Sequence, residues 1–92
     1  MAHLGTLTGL GCIAVGDRDV GTCRYRLSVH RRRGLVEVYG KVETSQTTLG
    51  RLVQNGQGRL ALETGGAIAI VPKSWDWTDG ACEVVSGPSS QS

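Results

Sequence analysis

Apolar and polar residues alternate with a period of two along much of this chain, most regularly between Arg24 and Val42. Tyr25, Leu27 and Val29 take turns with Arg24, Arg26, Ser28 and His30, and further on Val36, Val38 and Val42 take turns with Glu37, Tyr39 and Lys41. Such a period sends successive side chains to opposite faces of a strand. The stretch therefore predicts strands over 22–30 and 35–43, joined by the four-residue loop Arg31–Gly34 with Gly34 at positive φ. That loop pairs Val29 with Val36 and Leu27 with Val38. One face of the hairpin is then apolar, and the other carries Arg24, Arg26, His30, Tyr39 and Lys41. A slip of one residue would set valines against arginines.

The flanking segments extend this β pattern. Residues 4–15 read as a first strand interrupted by Gly5, Gly9 and Gly11, which mark bends or close backbone approach. The loop Gly16–Gly21 returns the chain to the second strand. Residues 45–55 change period: Ser45 is a helix N-cap, Leu49, Leu52 and Val53 share one side, and Asn55-Gly56 is a stop. Thr47, Thr48 and Gly50 weaken that helix. A second hairpin follows, in which a Thr64–Gly66 loop pairs Leu62 with Ile68. Pro72 ends its return strand, and Ala81–Val85 adds a short edge strand. Residues 1–86 form one domain, and 87–92 are a polar, disordered tail.

Three meandering strands, a short helix and two or three further strands make an all-β domain, a small barrel of five or six strands. The order resembles the OB-fold, in which a helix lies between the third and fourth strands and the first strand is bent at glycine. That resemblance covers roughly residues 4–72 and rests on topology. An SH3-like barrel or a small β-sandwich is the alternative if 45–55 is a loop.

Composition fits this picture. The chain has 92 residues, 14 glycines, 2 prolines and no phenylalanine, so valine, isoleucine, leucine and threonine must carry the packing. The net charge is only +2, but it is unevenly spread. Residues 17–41 hold seven basic and three acidic side chains, whereas 42–92 hold three basic and five acidic ones. Cys12, Cys23 and Cys82 are odd in number and lack a CxxC spacing, so they read as reduced, mostly buried thiols. The N-terminal residues lack a signal-peptide pattern, and no apolar run is long enough to span a membrane. The expected location is cytoplasmic.

Candidate chemistry is concentrated on the basic hairpin. Arg24, Arg26 and Lys41 suit phosphate groups, Tyr39 offers a ring on which a base can stack, and His30 with Arg31, Arg32 and Arg33 would clamp the end of a bound strand. OB-type domains use their second and third strands in this way. Trp75 and Trp77 are candidates for capping the open end of the barrel or anchoring a protein partner. Asp17-Arg18-Asp19 supplies too few oxygens for a metal and is ordinary turn chemistry. Cys12, Cys23, His30 and Cys82 match no zinc spacing. His3 and His30 have no nucleophile paired with them by spacing. The expectation is a non-catalytic module without cofactor or metal, binding single-stranded nucleic acid or another polyanion. The alternative is a protein-interaction or self-assembly module.

Overall fold

The computed structural model describes residues 2–87. It contains strands β1 (Ala2–Val15), β2 (Arg18–Arg32), β3 (Leu35–Thr44), β4 (Gly58–Ala61), β5 (Ala67–Asp76) and β6 (Ala81–Ser86), with helix α1 (Gln46–Asn55) between β3 and β4. The strands close into a barrel in the order β1-β2-β3-β6-β5-β4, and every pairing is antiparallel. Two three-stranded meanders, β1-β2-β3 and β4-β5-β6, are thus joined by α1 and sealed to one another along β1–β4 and β3–β6. The expected all-β barrel with a helix after its third strand is the one observed.

Both hairpin registers differ from the expected ones by two residues. Val29 faces Val38 and Leu27 faces Gly40. The connection is a two-residue turn, Arg33-Gly34, with φ of 54° and 79°. Two left-handed residues in succession suit a type I′ turn, whose twist matches the strands it joins. Leu35 and Val36 therefore enter β3, opposite Arg32 and Arg31. In the second hairpin Leu60 rather than Leu62 faces Ile68. A shift of two preserves which face each side chain occupies, so the division into inner and outer sets survives the change.

Three further boundaries are corrected. The 16–21 loop is mostly strand: β2 starts at Arg18 after a turn at Gly16-Asp17, and Asp19 pairs with Ala14. Pro72 does not end β5, which continues to Asp76 through a register shift between Pro72 and Ser74. An irregularity of that kind accommodates a residue with no N–H to give to the ladder. β6 is not an edge strand, because it lies between β3 and β5 and closes the ring. At the C-terminal end Gly87 donates its N–H to Ala69 O at 2.8 Å, and the rest of the expected tail, 88–92, lies outside the described residues.

The inner faces supply the core: Ile13, Leu27, Val42, Leu49, Leu52 and Leu60 are fully buried, joined by Tyr25, Ile70, Cys82 and Val84. The interrupting glycines of β1 make room for Tyr25. A Cβ on Gly9 would lie 2.9 Å from the Tyr25 hydroxyl. That hydroxyl accepts the Glu63 N–H at 3.0 Å, and Glu63 Oε1 in turn accepts the Leu10 N–H at 2.8 Å.

α1 closes on the core through Leu49 and Leu52. Ser45 Oγ caps it by accepting the Thr48 N–H at 3.2 Å, and Gly56, at φ 86°, ends it with bonds to Leu52 O and Val53 O. The poor helix formers have tertiary roles. Thr48 Oγ1 donates to Val20 O at 3.0 Å, and its side chain occupies the space left by the missing Cβ of Gly21.

Candidate nucleic-acid interface

The outer face of the β1-β2-β3-β6 sheet is built in cross-strand rows. One row runs Leu10, Arg24, Glu43, Ala81; the next runs Thr8, Arg26, Lys41, Glu83; a third runs Thr6, Ser28, Tyr39, Val85. These rows follow from strand alternation once the registers are set, because directly opposed residues share a face. All of them except Thr6 and Ala81 line an open groove of about 1050 Å³. Arg24, Arg26, Tyr39 and Lys41 all line it, as expected from their alternation.

The remaining expected residues fall elsewhere. His30 does not line the groove, but its ring stacks on Tyr39 with centroids 4.8 Å apart and an interplanar angle of 4°. One face of the Tyr39 ring is thereby engaged within the chain, although the residue remains 41% exposed. Arg32 follows Arg24, Arg26, Ser28 and His30 on the outer face, while Arg31, opposite Val36, belongs to the inner face, and Arg33 sits in the turn. These three arginines lie at the tip of the hairpin and do not line the groove.

Trp75 and Trp77 are 41% and 46% exposed and also lie outside the groove. Trp75 is in β5, and the Trp77 carbonyl accepts a bond from Gln46 Nε2 at 2.7 Å, next to the start of α1.

Three charged members of the site were not among the expected residues. Lys73 reaches the groove from β5, beyond the point where Pro72 seemed to end that strand. Glu43 and Glu83 line it as well. Glu43 was readable as the next outward residue after Lys41. Glu83 required the pairing of β3 with β6, which no local pattern announces.

The electrostatics are mixed rather than uniformly positive. Glu43 is directly opposite Arg24, and Glu83 is directly opposite Lys41. Arg26, however, is directly opposite Lys41, a like-charge arrangement that costs stability across antiparallel strands. Lys73 adds a fourth cation to the wall. Between the charges lie Leu10, Tyr39, Val84 and Val85. The arrangement can hold a flat, partly apolar group against the floor while cations meet an anion above it.

Other candidate chemistry is not assembled. Among the described residues no group of three or more His, Cys, Asp or Glu side chains is placed to hold a metal ion. Asp17 is in the β1–β2 turn and Asp19 in β2. All three cysteines are free thiols: Cys12 is exposed, whereas Cys23 and Cys82 are buried. Burial pushes the Cys23 thiol up to about 11, with the neighbouring Cys12 adding to the rise. Burial likewise raises Cys82 above its ordinary value. Both inner thiols are therefore weak nucleophiles. No helix among the described residues is long and apolar enough to cross a membrane.

No family model, no curated protein and no solved structure matches this chain.

Proposed function

We propose that this barrel is a non-catalytic module that binds single-stranded nucleic acid along the outer face of β1, β2, β3 and β6. The observation that carries the reading is the placement of Arg26 directly opposite Lys41, one row from Tyr39. Two cations facing one another are a standing cost to the free fold, and an anion seated between them relieves it. Arg24, Arg26 and Lys41 meet phosphates, with Lys73 at the far wall. A base lies on the floor of Tyr39 and Val85, with the His30–Tyr39 stack supporting the ring from the other side. Arg31 to Arg33 add positive field at the hairpin tip and steer the strand without lining the groove. The mixture of cations with Glu43 and Glu83 favours a flexible, single-stranded ligand that can thread between charges over a rigid duplex. The three free thiols fit a reducing compartment such as the cytoplasm.

A labelled oligonucleotide of about 12 nucleotides spans one domain of this kind and serves for an anisotropy titration across a salt series. Three phosphate contacts give a slope of log K against log salt of about −2. Arg24→Glu with Arg26→Glu abolishes the signal while the thermal unfolding profile stays cooperative. A salt-indifferent affinity, or none at all, refutes the proposal.

The exposure of Trp75 and Trp77 supports a second reading, in which a protein partner anchors on these rings. Trp77→Ala would then abolish partner capture and leave oligonucleotide binding intact.

A further inference from the structure

The second cross-strand row of the groove continues beyond Glu83. Ser74 on β5 stands directly opposite Glu83, and Pro72 opposite Val84, so Lys73 is the extra residue of the register shift between them. A bulge of this kind re-aims a side chain, and Lys73 lines the groove. Across the sheet the charges therefore run Arg26 on β2, Lys41 on β3, Glu83 on β6 and Lys73 on β5. The one carboxylate of this row is set between cations. Lys41 and Lys73 are two strand spacings, about 10 Å, apart at the backbone. Val85 follows Glu83 on the same face of β6, directly opposite Tyr39.

An ionised carboxylate only accepts hydrogen bonds and repels phosphate, so no phosphate of a bound strand rests on Glu83. Along a nucleic acid, what lies between one phosphate and the next is a sugar, with its base to one side. The row has that order. Arg26 and Lys41 take one phosphate, Glu83 lies beneath the sugar, and Lys73 takes the next phosphate. Tyr39 and Val85, one row along, receive the base of the same nucleotide. Of the two natural sugars only ribose brings a donor to that point, its 2′-hydroxyl, whereas deoxyribose would leave the carboxylate facing C–H groups. We propose that Glu83 makes the groove select RNA over DNA by accepting a hydrogen bond from a ribose 2′-hydroxyl. This inference rests on the nucleic-acid reading above. Glu43, the other carboxylate of the groove, has no such place. It stands opposite Arg24, and beyond it in its row come Ala81 and Asp76, with no second cation.

Two labelled oligonucleotides of one uracil-containing sequence, differing only in ribose against 2′-deoxyribose, test this by titration against the chain at one salt concentration. A hydrogen bond to a charged acceptor predicts that the RNA binds about tenfold tighter or more. RNA with fluorine in place of every 2′-hydroxyl keeps the sugar pucker of RNA without the donor, and it should bind no better than DNA. Glu83→Ala should tighten DNA binding, because it removes a repulsion, and bring the ratio of the two affinities close to one. Glu43→Ala should leave that ratio as it is. Equal affinity of the unmodified chain for RNA and DNA overturns the inference while the groove stands as a binding site. A preference that survives Glu83→Ala or the fluorine substitution also overturns it, because another residue or the sugar pucker would then be its source. Absence of binding to either strand overturns both the inference and the reading on which it rests.

Discussion

Replacing Arg26 by glutamate is expected to strengthen the fold and to disable the groove at the same time. Arg26 stands directly opposite Lys41, and Lys41 stands directly opposite Glu83 on its other side. Arg26→Glu therefore exchanges a repulsive cross-strand pair for an attractive one. Each such pair is worth roughly 0.2–1 kcal/mol. Exposed ion pairs belong at the low end of that range, since side-chain entropy and solvent screening offset the attraction. Removing the repulsion and adding the attraction together give about 0.5 kcal/mol. In a domain of this size that raises the melting temperature by roughly 2–4 °C. Thermal unfolding followed by tryptophan fluorescence at low salt, compared with 1 M salt, measures it. The gain should shrink at high salt, where the screening length falls to about 3 Å. Oligonucleotide affinity should fall more than tenfold in the same variant. A lower melting temperature at low salt would refute the reasoning, because it would mean that Arg26 supports the sheet through its stem or another partner.

The packing predicts three further outcomes. Gly21→Ala would press a methyl group into the Thr48 side chain. Its cost is about 1–3 kcal/mol, the usual penalty for overpacking, and Thr48→Ala in the same chain should recover part of it, as denaturant unfolding would show. Of the three thiols, only exposed Cys12 should react promptly with a disulfide reagent in the native state, with Cys23 and Cys82 appearing on unfolding. The Cys23 thiol, ordinarily at 9.0, stands at about 11 when folded. The unfolded chain therefore loses that proton first, so its contribution to stability is flat below about pH 9 and declines towards pH 11. Cys23→Ala should flatten that decline. An equal slope in the variant would show that the burial of Cys23 is not its cause.

Side-chain facing was legible in the sequence, whereas strand partnership was not. The alternation from Arg24 to Lys41 placed Arg24, Arg26, Tyr39 and Lys41 on one face, and the structure gathers all four in the groove. The helix was readable from its ends, because Ser45 and Gly56 satisfy backbone groups within one turn. Register was hidden because a displacement of two residues leaves the apolar and polar sets where they were. Only the Arg33 backbone separates the two choices, and a left-handed arginine is not something that composition announces. The seams β1–β4 and β3–β6 join residues some forty positions or more apart, so Lys73 and Glu83 could not be placed beside Lys41 from local pattern. Thr48 looked like a flaw in the helix because its partners, Val20 and Gly21, lie on another element.

The unequal lengths of those two seams decide how the barrel comes apart. β3 and β6 are held together from Tyr39 to Glu43, whereas β1 and β4 meet only through Cys12, Ile13 and Ala14. Within each meander the strands are local in sequence and close early in folding, before the distant edges are brought together. The shorter seam is therefore the latch that yields first under native conditions, with α1 still tethering the two leaves. In amide exchange, the β4 amides bonded across that seam would lose protection before those that bind β2 to β1 and β3. Each such opening bares the stretch of β1 next to Leu10.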